Sequence, residues 1–143
     1  MLGPEHPDVA SSYGNLGSLY RRQGKLEEAL GAQSKALEIR LKVLGPEHPD
    51  VAMSYGNMGI IFYSQGKLEE ALRYHQKALV IKCKAFGDVH PETARSKYSI
   101  GLVLEATGKA SEARAMFAEA AAVRRLVLGP DHPDTKKAER RAR

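Results

Sequence analysis

Five histidines and one cysteine are the side chains of this 143-residue chain that could ligate a metal or move a proton near neutral pH. Four of them, His6, His48, His90 and His132, stand 42 residues apart, each within a Gly-x-x-His-Pro segment that begins at Gly3, Gly45, Gly87 or Gly129. Such a row invites a zinc site. Ligands of one zinc ion lie about 2 Å from it, however, and successive units of a helical stack sit about 10 Å or more apart. Residues at the same place in successive units therefore cannot converge, and the row is predicted to serve turns or helix caps, with no metal. His75 stands alone and reads as a packing or partly exposed residue rather than a catalytic base. Cys83, the single cysteine, rules out an intrachain disulfide and fits a small buried helix residue in a reducing compartment.

Little other chemistry is available. No serine–histidine–acid arrangement, Cys-x-x-Cys, Walker loop or carboxylate pair stands out, and the glycines are dispersed rather than gathered into a phosphate cradle. Glu27-Glu28 and Glu69-Glu70 open helical patterns, where negative charge favours the positive end of the helix dipole. The expectation is a non-catalytic protein without a cofactor.

The elements that carry these residues repeat. Residues 3–44 and 45–86 are identical at 26 of 42 positions, residues 87–128 are a looser third copy and residues 129–143 begin a fourth. A period of this length marks a solenoid whose units bury their apolar faces on one another. The whole chain is therefore expected to be a single array of three repeats and a partial fourth that supplies a terminal helix. It starts two residues before the register and stops early in the fourth unit, as a segment of a longer array would.

Each unit contains two helical patterns. Val9, Tyr13, Leu16, Leu19 and Tyr20 line one side of a segment from about Asp8 to Gln23. Pro7 suits the first helical position, His6 the cap and Asp8 the first turn, and Gly24 ends the run. The second pattern starts near Lys25, carries Leu26, Ala29, Leu30, Ala36, Leu37, Ile39 and Val43, and stops at Gly45-Pro46. The same layout predicts helices over about 50–65, 67–85, 92–107 and 109–127, with a last one from about Asp134. Nothing alternates with period two, so no sheet is expected.

No apolar run approaches the roughly 18 residues that span a bilayer, and Met1-Leu2-Gly3-Pro4-Glu5 lacks the pattern of a signal peptide, which predicts a soluble, cytoplasmic protein. The formal charge of +5 is a property of the tail. Residues 1–134 hold 17 Lys/Arg against 16 Asp/Glu, whereas 135–143 hold five against one. Lys136, Lys137, Arg140, Arg141 and Arg143 could attract nucleic acid, but no aromatic residue interleaves with them as a single-strand binder requires. A short exposed basic helix end is the simpler reading, and it disfavours a nucleic-acid partner.

The spacing Tyr13-x2-Leu16-Gly17-x2-Tyr20, then Ala29-x3-Gln33-x2-Ala36, resembles the tetratricopeptide repeat. It recurs as Tyr55, Met58, Gly59, Phe62, Ala71, His75 and Ala78, and again as Lys97, Ile100, Gly101, Leu104, Ala113, Phe117 and Ala120. Here the period exceeds the usual length of about 34 by about eight residues, or roughly 12 Å of helix, and the terminal proline is replaced by Leu41, Cys83 and Arg125. This long form is similar to the repeats of kinesin light chains. The resemblance implies an all-α, right-handed α-α superhelix of antiparallel helix pairs, with the small residues Gly17, Gly59 and Gly101 where the helices of a pair cross.

It also implies a protein-interaction scaffold whose first helices line a concave groove for a short peptide segment. The groove positions carried onto this chain are Asn15, Ser18 and Arg22 in the first repeat, Asn57, Ile60, Tyr63 and Ser64 in the second, and Arg95, Tyr98, Ser99 and Leu102 in the third. Asn15 and Asn57 lead, because a carboxamide both donates and accepts and so matches a peptide backbone. The competing reading is a pair of solvated asparagines copied with the repeat, and Ser99 interrupts the ladder. The cationic pair with which a chaperone-binding subgroup grips a terminal carboxylate is not evident, since Arg22 is matched by Ser64 and Ala106. The rival to a peptide scaffold is an architectural spacer that self-associates through its open solenoid ends.

Overall fold

The computed structural model describes residues 3–143. They form seven α-helices, and no strand occurs among the described residues. These are α1 (Pro7–Arg22), α2 (Leu26–Leu44), α3 (Pro49–Ser64), α4 (Leu68–Phe86), α5 (Pro91–Ala106), α6 (Ala110–Leu128) and α7 (Pro133–Arg141). The all-α organisation into helix pairs is as expected, and each boundary falls within about a residue of the periodicity.

The histidine row has a positive role that accounts for its spacing. In each copy the imidazole Nδ1 accepts a hydrogen bond from the backbone N–H two residues on: Asp8 onto His6, Asp50 onto His48 and Glu92 onto His90 at 3.0 Å, and Asp134 onto His132 at 3.1 Å. The following proline holds each histidine in extended backbone, as at His48 with φ −77° and ψ 139°. That geometry places the ring over the otherwise unpaired amides of the first turn. The proline occupies the first helical position, where no amide hydrogen is needed.

Helix ends follow a finer period than the helix pairs. Gly24, Gly45, Gly66, Gly87, Gly108 and Gly129 all have positive φ, between 78° and 98°. They fall 21 residues apart, half the repeat, so every long helix ends on a left-handed residue that glycine adopts without strain.

Two compact units divide the chain, one running up to Ile81 and the other from Lys82 onward. In the first, Val51, Ala52, Ala78 and Ile81 form a core against which Leu37, Leu41 and Tyr55 pack. The ring of Tyr74 lies between those of Tyr55 and Phe62, at centroid separations of 5.8 and 5.1 Å. In the second unit Phe117 is fully buried, and Tyr98 meets it edge-on at 5.2 Å. His75 is buried and packs on α3, in agreement with a packing role. Cys83 is half-buried rather than buried, because it lies in the last turn of α4. Its thiol pKa is pushed up first by burial and then by the hydrogen bond and negative charge of Asp88.

The two helices of a pair touch where one has no side chain. A Cβ placed on Gly17 would lie 2.7 Å from Gln33, one on Gly59 2.7 Å from His75, and one on Gly101 2.7 Å from the Phe117 ring. Gly31 of α2 by contrast faces open space. Gly101→Ala is therefore expected to lower unfolding free energy by about 1–2 kcal/mol, since overpacking against a buried ring outweighs the gain in helix propensity. Gly31→Ala should raise it by about 0.5–1 kcal/mol. Urea melts of the two variants check the pair: equal effects would mean that the crossing is not close-packed.

Candidate functional site

In the first unit, α1 and α3 bring Asn15 and Asn57 to the same register position, two residues before the crossing glycine of each helix. Two residues rotate the chain by about 200° around a helix. The amides are thus turned away from the α2 and α4 partners. Asn15 is exposed and Asn57 half-buried, and neither carboxamide is hydrogen-bonded among the described residues. Around them Ile60 and Tyr63 are exposed at 37% and 39%, Arg22 and Ser64 are exposed, and Ser18 is half-buried.

In the second unit Arg95 is exposed and pairs with Glu92 at 3.6 Å, while Ser99 and Leu102 are half-buried. Tyr98 departs from the expectation of a groove-facing side chain, because it is only 8% exposed. Its ring lies under the Arg124 guanidinium, with Cζ 4.7 Å from the ring centroid, and the Lys137 ammonium stands 5.9 Å away. The ring thus serves as a floor to these cations.

One buried feature has no counterpart among the sequence expectations. Arg40, Lys82 and Arg124 are 42 residues apart near the ends of α2, α4 and α6, and all three are buried, at 5%, 7% and 8% exposure. Each reaches the first turn of the following first helix in a different way. Arg40 Nη1 donates to Ser54 Oγ at 2.8 Å and to the Asp50 carbonyl at 3.4 Å. Lys82 Nζ lies 3.5 Å from the Glu92 carboxylate. Arg124 Nη1 donates to the Asp134 carbonyl at 3.1 Å.

Burial depresses the pKa of all three, with the acidic residue at the helix start, Asp50, Glu92 or Asp134, acting against it. For Arg124 the positive charge of Arg95 depresses it further. The available signal was a basic residue recurring in register inside an apolar stripe, as in Leu37-Glu38-Ile39-Arg40-Leu41.

The neighbourhood of Arg40 contains one unmet acceptor. Gln33 Nε2 donates to the Gly14 carbonyl at 3.0 Å, whereas Gln33 Oε1 is buried without a hydrogen-bond partner. The basic tail is also more engaged than a free helix end. Arg141 pairs with Glu105 at 2.7 Å, and Arg125 with Glu139 at 3.1 Å. No group of histidine, cysteine and acidic residues suited to a metal, and no helix long and apolar enough to cross a membrane, occurs among the described residues.

The sequence matches the tetratricopeptide repeat family over residues 8–84 and 65–126. Among solved structures, BtubC (BKLC) from P. vanneervenii is similar at 25% identity and a TM-score of 0.88, over 96% of this chain and 55% of that one. A kinesin light chain-type protein of Podosopora anserina with nearly identical TPR-like repeats is similar at 23% identity and a TM-score of 0.85, over 96% and 65% of the two chains. The N-terminal domain of stress-induced protein-1 from C. elegans is similar at 20% identity and a TM-score of 0.70, over 96% and 97%. The chain thus spans under two thirds of the first two. No curated protein matches it.

Removing a partner of a buried cation tests the registered contacts. Ser54→Ala takes away the shortest hydrogen bond of Arg40 and leaves its guanidinium more poorly satisfied, so unfolding free energy should fall by about 1–3 kcal/mol. Ser12→Ala, at the corresponding place in the first repeat, removes only an exposed bond to the Asp8 carbonyl and should change it by less than about 0.5 kcal/mol. Thermal and urea melts that fail to separate the two variants would contradict this account.

Proposed function

Because the chain belongs to the tetratricopeptide repeat family, we propose that it is a non-catalytic scaffold that binds a short, extended peptide segment of a partner protein on its first-helix surface. The observation that carries this reading is the pair Asn15 and Asn57. Two equivalent carboxamides on α1 and α3 lie in one compact unit with their hydrogen-bonding capacity unused among the described residues. An extended backbone offers an N–H and a C=O to each such amide whatever its side chains. Ile60 and Tyr63 add exposed apolar area beside them, where an anchoring side chain gains by leaving water.

A second reading, self-association, draws on one departure from the repeat. At the position of Lys42 and Lys84 stands Leu126, 75% exposed, next to the exposed Val127. Light scattering over a range of concentrations separates the two readings. Leu126→Lys should leave a peptide-binding monomer unchanged, and should lower the mean mass if Leu126 mediates association.

The peptide reading is tested with a ligand selected from a displayed peptide library. Replacing Asn15 and Asn57 together by alanine should weaken that ligand by roughly 1–3 kcal/mol for each hydrogen bond lost in a desolvated groove, measured by calorimetry, with the circular dichroism spectrum unchanged. Undiminished affinity in the folded double variant would refute the role of the amides.

A further inference from the structure

The outer face of α6 differs in kind from those of α2 and α4. On the side turned away from the buried Phe117, residues 115, 118, 122 and 126 follow one another at helical spacing, and all four are exposed. In α2 these places hold Gly31, Ser34, Glu38 and Lys42, and in α4 Arg73, Gln76, Val80 and Lys84, every one of them exposed. In α6 they hold Ala115, Ala118, Ala122 and Leu126, an entirely apolar row. Leu126 is 75% exposed where its two counterparts are lysines, so it forgoes the stabilisation that burial would bring.

The edges of this face have changed with it. Glu119 stands where α2 and α4 carry Lys35 and Lys77, and Arg114 where they carry Leu30 and Leu72. At about 100° per residue, Glu112 and Glu119 border the apolar row on one side, and Arg114 and Arg125 border it on the other. One edge is thus acidic and the other basic. Glu112 forms no ion pair among the described residues, and the side chain of Arg114 reaches only Ser111 Oγ, at 3.4 Å. Glu119 meets Lys97 at 3.5 Å and Arg125 meets Glu139 at 3.1 Å, yet Glu119 and Arg125 both remain exposed.

We propose that α6 is the contact between two copies of this chain, with the two α6 helices parallel, Leu126 against Leu126 of the second copy, and the acidic edge of each against the basic edge of the other. The proposal deepens the self-association reading and rests on it. The charges choose the direction. A two-fold axis along the helices brings opposite edges together, so that Arg114 of each copy faces Glu119 of the other, five residues on, as in a parallel two-stranded coil. A two-fold axis across the helices would instead set acidic edge against acidic edge and basic against basic. Alanines at three of the four row positions let the helix axes approach to about 8 Å. A row of four residues covers far less than the roughly 1,200–2,000 Å² of a stable complex, so the pair forms only at high concentration, about 0.1–1 mM.

Sedimentation velocity on the whole chain over that range reads the association. The wild type should move from monomer toward dimer as concentration rises, and Leu126→Lys should remain monomeric. Arg114→Glu and Glu119→Arg, each alone, should weaken the dimer about fivefold, since two exposed ion pairs become repulsive, and the two together should restore it. Ala115→Cys combined with Cys83→Ser should give a disulfide-linked dimer on mild oxidation, because residue 115 meets its own copy only in the parallel pair. Circular dichroism checks that each variant is folded. A wild type that stays monomeric throughout overturns the proposal and the self-association reading together, as does a dimer that Leu126→Lys leaves unchanged. Loss of the dimer in Leu126→Lys, with no response to charge reversal and crosslinks formed only between Ala115→Cys and Leu126→Cys chains, keeps that reading and overturns the parallel pair. The peptide selected for Asn15 and Asn57 should bind Leu126→Lys as tightly as the wild type, so the amide site is judged separately.

Discussion

The contact between a bare glycine on one helix and a large side chain on its partner is the constraint on which the remaining geometry depends. With a Cβ at Gly17, Gly59 or Gly101 the facing side chain would have to move, because the distance would be 2.7 Å in every case. The glycine therefore fixes which side of each first helix is buried. Asn15, Asn57 and Ser99 all stand two residues earlier, about 200° around the helix. Their outward direction is a consequence of the crossing, and the facing residue can change from Gln33 to His75 to Phe117 without altering it.

The junction between the end of a second helix and the start of the next first helix poses a different problem, met at a single register position. A long basic side chain near the end of each second helix reaches the start of the following first helix, where Arg40 finds a hydroxyl and a carbonyl, Lys82 a carboxylate, and Arg124 a carbonyl and a ring. All three are buried, so their long stems leave water while the charged ends satisfy polar groups. None of the three contacts is strongly stabilising in net terms, because desolvating the cation opposes what its partners return. They do penalise a shift of that helix end against the following helix start, which would leave the cation with no acceptor.

Much of this was legible in the sequence. The histidine caps, the helix limits and the crossing glycines are local features: a proline, an acidic first turn and a left-handed glycine each act on backbone within a few residues. The environment of a long side chain is not local. Arg40 looks like any solvated arginine until the third helix is placed beside it, and Tyr98 looks like a groove residue until α6 and α7 supply Arg124 and Lys137. For the same reason the basic tail read as a free helix end, whereas Arg141 is tied to Glu105 thirty-six positions away. Charge counted along the chain cannot distinguish a solvated cation from one folded back on its own unit.

The positions at which the first two repeats differ show where the fold tolerates change. Caps, helix-ending glycines and the alanine pairs Ala10 and Ala52, Ala29 and Ala71, and Ala36 and Ala78 are identical between them, while differences fall on both helices: on the first, as at Ser18 and Ile60 or Arg22 and Ser64, and on the second, as at Gln33 and His75 facing the crossing glycine, Ala32 and Tyr74, or Arg40 and Lys82. Of these, Arg22, Ile60 and Ser64 are exposed. A change at these exposed positions alters the surface and leaves the crossing glycines and the helix caps in place. By this route the first unit carries Asn57, Ile60 and Tyr63 where the second carries Ser99, Leu102 and Glu105. For the same reason the scaffold is far easier to read from the sequence than the surface it presents, because caps and crossings restrict residue type and the exposed side of a helix does not.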